Sequence, residues 1–140
     1  MDTVSELEES GNLVDSYLTR CPARDVLAVL ADKWVLLVLG VLRSGEGPIR
    51  FNELRRRMDG ITQKMLTRTL RDLEREGLVR RSVYPTVPPR VEYSLTPLGQ
   101  DLGRITHAMG QWAVRNADEI TTARAEFDER MAREPEPISS

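Results

Sequence analysis

The pair Asp59-Gly60 separates two helical runs by so few residues that the runs must fold back on one another. A glycine here supplies the turn that other residues resist, and the spacing predicts a helix from Phe51 or Asn52 to about Met58 before it. After it, Thr62 is placed to cap a helix from Gln63 to Glu76, which Gly77 ends. Two helices joined by a tight glycine turn form the helix-turn-helix pattern. The second of them has two unlike faces. Met65, Leu66, Leu70 and Leu73 make an apolar stripe, while Gln63, Lys64, Thr67, Arg68, Arg71 and Arg75 lie on or beside the opposite side. Whatever fold forms must bury the first face and leave the second in contact with solvent or a partner.

The surrounding residues supply a scaffold for this unit. Proline suits the first helical position, so Cys21-Pro22 opens a first helix with Val26, Leu27, Val29 and Leu30 on its apolar side. Asp32 caps a second helix from Lys33 to about Ser44 that is apolar nearly all round, and it is expected at the buried centre. Ile49-Arg50 offers a short strand. Leu78–Val83 and Val91–Leu95 alternate as strands, and the proline-rich stretch between them makes the tip of a two-stranded hairpin. Thr96-Pro97 opens a long last helix with apolar residues at Leu98, Leu102, Ile105, Met109 and Trp112, in steps of four and three. So narrow a stripe fits a seam with another helix, which makes a dimer one reading and cover for the chain's own core the other. The expected fold is mostly α with a small β-hairpin wing. Residues 1–11 read as an acidic flexible N-terminus, 12–120 as one domain that holds the winged helix-turn-helix and the dimerisation seam, and 121–140 as a helical extension ending in a flexible tail.

Composition removes several classes of function. With one cysteine, Cys21, and one histidine, His107, there is no internal disulfide, no zinc cage and little acid-base machinery. No glycine-rich phosphate loop and no nucleophile-base arrangement is present either, so the chain reads as no enzyme, with neither cofactor nor metal. The longest apolar run, Trp34 to Leu42, is half of what a bilayer requires. The first ten residues carry four acids and no base, the reverse of a secretion signal, so a cytoplasmic protein without a membrane partner is expected. Charge is distributed unevenly. Residues 1–42 hold three bases against seven acids, 43–90 hold twelve against six, and 91–140 hold five against nine. A basic middle between acidic ends suits a polyanion that meets the middle alone.

Double-stranded DNA is that polyanion on the composition of the fourth helix. Arginine and lysine neutralise phosphates, and side chains at the N-terminal part of such a helix reach base edges. Gln63, Lys64, Thr67 and Arg68 are therefore the expected base readers, with Arg71 and Arg75 toward phosphate. Arg55, Arg56 and Arg57 are consecutive and cannot all face one way, so one or two of them, Arg55 and Arg56 first, are assigned to phosphate. On the hairpin, Arg80, Arg81 and Arg90 place charge on a wing along the backbone, unless Arg80 and Arg81 simply alternate on an exposed strand. The alternative is a winged-helix module that binds an acidic protein, but that surface would want aromatic anchors, and the front of the fourth helix has none.

Four runs carry a resemblance: Arg50 to Arg56 (RFNELRR), Gly60 to Thr67 (GITQKMLT), Leu73 to Val79 (LEREGLV) and Val87 to Gly99 (VPPRVEYSLTPLG). Together with Cys21-Pro22 and Lys33-Trp34 they resemble the HxlR family of bacterial transcriptional regulators over roughly residues 20–112. Ala31-Asp32 departs from a family pattern that often has glycine there. The resemblance implies a winged helix-turn-helix and a homodimer joined through the first and last helices, with Val26, Leu98, Leu102, Ile105, Met109 and Trp112 in its interface. It also implies that each protomer places its fourth helix in a major groove of a pseudo-palindromic site, with repression or activation left open. Cys21, at a helix N-terminus between Arg20 and Arg24, has surroundings that favour thiolate, and family members use a cysteine in this position to sense oxidants or electrophiles. The other reading of Cys21 is a small buried hydrophobe. An oxidant or electrophile effector follows from the first reading only; a small-molecule effector would take a cavity at the dimer interface lined by Trp34 and Trp112, whose other reading is as core residues.

Overall fold

The computed structural model describes residues 22–135, so Cys21, the acidic N-terminus and the last five residues lie outside the described residues. The elements in chain order are α1 (Pro22–Leu30), α2 (Lys33–Ser44), β1 (Ile49–Arg50), α3 (Phe51–Arg57), α4 (Gln63–Arg75), β2 (Val79–Tyr84), β3 (Arg90–Leu95) and α5 (Pro97–Arg133). Asp32 caps α2 by accepting from the Trp34 amide at 2.7 Å, and Thr62 caps α4 by accepting from the Met65 amide at 3.1 Å. Each satisfies one of the amides that a helix start leaves without an internal partner. Between α3 and α4, Gly60 turns the chain at φ +85, in the left-handed region that glycine enters without strain.

The core draws on every element of this part of the chain except α1 and α5, which add partly covered side chains. Leu39 of α2, Leu54 of α3 and Leu66, Leu70 and Leu73 of α4 are fully buried, and Met58 and Ile61 fill the turn between the helices. Burying each such leucine contributes roughly 1.5–3 kcal/mol relative to leaving it in water. Two expectations change. Helix α2 is not buried all round, because Leu37 faces outward and is 49% exposed. On α4 the inward stripe is Leu66, Thr69, Leu70 and Leu73, and Met65 stays largely exposed. Thr69 can take the buried position because its hydroxyl donates to the Met65 carbonyl at 2.8 Å, which satisfies it inside the helix.

The hairpin is part of a larger sheet. β1 pairs antiparallel with β3, Ile49 opposite Tyr93 and Arg50 opposite Glu92, to give a three-stranded sheet in the order β1-β3-β2. A two-residue strand has little stability of its own, and burial of Ile49 and Tyr93 in the core holds it. This anchors the start of α3 to the wing. A second tie runs through Thr96: its hydroxyl donates to the Gly77 carbonyl at 2.6 Å and accepts from the Gly99 amide at 3.1 Å, and its own amide donates to Leu78 at 3.1 Å. One residue thus caps α5 and fastens it to the end of α4. The approach is so close that a Cβ on Gly99 would stand 2.1 Å from the Leu78 carbonyl oxygen.

Contacts divide the described residues into two units, one ending at Arg104 and the second beginning at Ile105. The second is the remainder of α5, helical without interruption to Arg133, and carries Ile105, Met109, Trp112, Phe127 and Met131 as exposed apolar side chains. Among the described residues no helix is long and apolar enough to cross a membrane.

Candidate nucleic-acid interface

The front of α4 is a polar surface. Gln63, Lys64, Arg68 and Arg71 are exposed, Thr67 is half-buried between them, and with Asp72 these residues line one shallow depression. Arg75 is exposed one turn further on. The reason is the helical period: with Leu66, Thr69, Leu70 and Leu73 turned inward, residues 63, 64, 67, 68 and 71 fall on the outer side. All four expected base readers are therefore brought together, at the end of the helix where the free backbone amides also favour an anion. Asp72 is an addition that the sequence reading did not single out. Among the described residues neither Arg68 nor Arg71 forms an ion pair, so both guanidinium groups keep their full set of donors for an outside acceptor.

On α3 the three arginines are not equivalent. Glu53, one turn earlier, pairs with Arg56 and accepts from Arg57 Nε at 2.9 Å. The hydrogen bond from Arg56 foremost, then that from Arg57, holds the Glu53 carboxyl below its ordinary pKa. The carboxylate therefore stays charged at neutral pH, and its clamp is released only as acid carries the pH down through that lowered value. Arg55, by contrast, is exposed and makes no ion pair among the described residues. The signal for this was present in the sequence, since a glutamate three and four positions before two arginines is a helical pairing pattern.

The wing carries its charge in two ways. Arg80 and Arg81 are both exposed on β2 and, being successive strand residues, point to opposite faces. Arg90 is held instead: it stands opposite Tyr84 in the β2–β3 register, with its guanidinium carbon 4.3 Å from the ring centroid and its Nε 3.3 Å from Glu92. That Nε is buried without a hydrogen bond. Arg90 pins the hairpin where its tip begins, which leaves Arg80 and Arg81 as the wing's open cations.

The remaining expected site residues fall into separate groups. Val26, Leu98, Ile105, Met109 and Trp112 are exposed, whereas Leu102 packs partly buried against the core. Leu102 thus serves the protomer's own core, at the point where the stripe of α5 passes over it. Trp34 lines a groove with Val29, Asp32, Val35, Met65 and Asp72, and it lies in a different unit from Trp112. Cys21 lies outside the described residues. Among those described, no cluster of histidine, cysteine or carboxylate side chains could hold a metal ion.

A capped helix held on a second helix by a glycine turn, with a polar front and a three-stranded wing beside it, defines the winged helix-turn-helix class of transcriptional regulators, which are not enzymes. The model of the HxlR-like helix-turn-helix family matches residues 29–121, and the chain belongs to that family. It is 41% identical over 130 residues to the helix-turn-helix transcriptional regulator YtfH of Escherichia coli strain K12, covering 93% of this chain and 97% of that protein. Among solved structures it is similar to the transcriptional regulator YtfH from Salmonella typhimurium, with 42% identity and a TM-score of 0.70 over 76% of this chain and 93% of that one. It is also similar to the redox regulator HypR in its oxidized form, with 45% identity and a TM-score of 0.62 over 69% of this chain and 97% of that one.

Proposed function

We propose that the protein is a sequence-specific DNA-binding regulator that acts as a homodimer on a pseudo-palindromic operator. The observation that carries this is the exposed front of α4, where two unpaired arginines, a lysine, a glutamine and a threonine stand without a single aromatic anchor. In this reading α4 enters the major groove, with Gln63, Lys64, Thr67 and Arg68 at base edges. Arg55, Arg71, Arg75 and Arg80 meet phosphate, and Arg56 does so to the extent that Glu53 releases it. The exposed apolar residues Val26, Leu98, Ile105, Met109 and Trp112 support a dimer, which spaces two reading helices about 34–36 Å apart, one turn of duplex. A regulator that reads the cell's own DNA in this way works where that DNA lies, in the cytoplasm. The likeness to a redox regulator, and the place of Cys21 immediately before α1 in the sequence, support an effector that is an oxidant, which takes two electrons as Cys21 joins a second thiol in an intersubunit or mixed disulfide, or an electrophile, which bonds to the thiolate directly.

The test is a fluorescence-anisotropy titration at fixed salt against DNA from upstream of the protein's own and neighbouring genes. Scrambled DNA of equal length serves as the control. Binding tighter than to scrambled DNA by about a thousandfold or more is expected. Equal weak binding to every duplex would remove the regulator reading and favour the module that docks on an acidic protein. Repeating the titration with an oxidant on Cys21→Ser tests the effector, because an unchanged oxidant response in that variant rules Cys21 out.

A second expected result concerns Glu53. Glu53→Gln frees Arg56 and Arg57, so affinity for random DNA should rise and the slope of log K against log salt should steepen by about 0.9 for each phosphate gained. A slope unchanged from wild type would show that neither arginine reaches the backbone.

A further inference from the structure

A groove beside the reading front of α4 is bounded by α1, the α1–α2 junction, α2 and α4 itself. Its volume is about 320 Å³, at the small end of ligand cavities, which run from about 300 to 1,000 Å³. That size suits a molecule of about one amino acid. Val29, Trp34, Val35 and Met65 supply apolar wall, and the Trp34 ring carries the Lys33 ammonium 4.8 Å from its centroid. Three charged side chains line the groove as well: Arg68, Asp72 and Asp32. Arg68 and Asp72 make no ion pair among the described residues, and Asp32 commits only one oxygen to its cap on the Trp34 amide. Thr69 borders the groove too, but its hydroxyl is already given to the Met65 carbonyl. Arg68 and Asp72 also line the depression on the front of α4, so these two side chains belong to both surfaces.

We propose that this groove binds a small zwitterion, an α-amino acid with an aromatic side chain, and that the bound ligand takes Arg68 away from DNA. Charge selects the class. A simple anion that pairs with Arg68 brings its charge to Asp32 and Asp72, and a simple cation that pairs with either carboxylate faces Arg68, with Lys33 beside the ring. A neutral apolar molecule covers all three charged groups and answers none of them, and burying a charge without a partner is costly. A zwitterion answers both signs. Its carboxylate accepts from the Arg68 guanidinium, and its ammonium donates to Asp72 and to the uncommitted oxygen of Asp32. An aromatic side chain suits the remaining wall, since Trp34 offers a ring and Met65 a thioether to pack against it. Arg68 and Asp72 stand one turn apart on α4, about 6 Å along its axis, and the long arginine arm closes that span onto neighbouring groups of one small molecule. A guanidinium held by the ligand carboxylate is not open to a base edge. By reciprocity, DNA that engages Arg68 lowers the affinity for the ligand by the same factor. The release of DNA rests on Arg68 as a base reader, whereas binding of the zwitterion does not.

The experiment titrates the full chain by calorimetry with L-phenylalanine, and with 2-phenylethylamine and 3-phenylpropionate, which keep the ring and one charge each. Two temperatures are used, so that a zero enthalpy at one cannot hide binding. L-phenylalanine is expected to bind with a dissociation constant of about 1 mM or below, the range open to a molecule of about a dozen non-hydrogen atoms. Each single-charge analogue should bind about tenfold or more weakly, and Asp72→Asn should weaken L-phenylalanine by a similar factor. No binding of L-phenylalanine overturns the proposal, and an analogue that binds as tightly overturns the zwitterion. In anisotropy with the operator, saturating L-phenylalanine should lower the affinity about 5- to 150-fold, and the response should shrink in Asp72→Asn when each protein is compared with itself. Binding of L-phenylalanine that leaves the operator affinity unchanged overturns the coupling. A protein that reads no duplex specifically loses the coupling with that reading, while the calorimetry still decides the groove.

Discussion

Arg68→Ala is expected to weaken binding to the operator by about 1–3 kcal/mol, or about 5- to 150-fold, and to relax the preference at one base pair of each half-site. Its guanidinium stands on the front of α4 with no carboxylate engaged, so nothing among the described residues competes for its five donors. Two parallel donors match the acceptors on a guanine edge, and that geometry makes the loss specific to sequence. The measurement is anisotropy with the operator, with operators changed one base pair at a time, and with random duplex. Equal losses on operator and random DNA would assign Arg68 to phosphate and leave Gln63, Lys64 and Thr67 as the readers. Folding should be untouched, since the side chain is exposed and no core residue leans on it.

The largest effect on stability is expected at Gly99. Gly99→Ala places a methyl group 2.1 Å from the Leu78 carbonyl oxygen, and the obstacle is backbone, which cannot rotate aside. To make room, α5 would have to move from Leu78, breaking the bonds by which Thr96 joins Gly77, Leu78 and Gly99. A loss of about 3 kcal/mol or more is expected, read as a fall in the thermal midpoint of about 10 °C or more. Gly110→Ala is the control: the added Cβ meets nothing within 4 Å in a helical position, so a gain of about 0.4–1 kcal/mol is expected. If both variants unfold alike, the close approach at Gly99 carries no weight in stability.

These two residues differ in how legible they were. Arg68 could be placed from the sequence because it follows Thr62 by a fixed number of helical residues and the period does the rest. Met65 and Thr69 show the limit of that method: both lie near the edge of the buried face, and hydropathy favours the methionine. The structure buries the threonine, because an intrahelical hydrogen bond removes the cost of its hydroxyl. Leu37, expected inside a helix buried all round, stands 49% exposed for a related reason. Hydropathy says that a side chain prefers burial, but which apolar residues find a neighbour depends on the elements packed around them.

Glu53 is a different case, since the information was local and simply outweighed by the three arginines beside it. Its two pairs leave Arg55 as the open cation of α3, so a basic run of three contributes less free charge than its composition promises. Arg90 could not have been resolved the same way, because Tyr84 meets it only through the register of the hairpin.

By itself, the sequence determined the helix-turn-helix, its caps, the wing and the face of α4 that meets DNA in our reading. All of these depend on residues within a few positions of one another, where backbone preference and hydrophobic period decide. The tertiary structure alone decided the pairing of Ile49 with Tyr93, the contact of Gly99 with Leu78 and which cations remain open on the wing. The first two join residues far apart in the chain, and the third depends on the hairpin register that sets Arg90 opposite Tyr84, so no local preference specifies where these residues meet until the elements are packed.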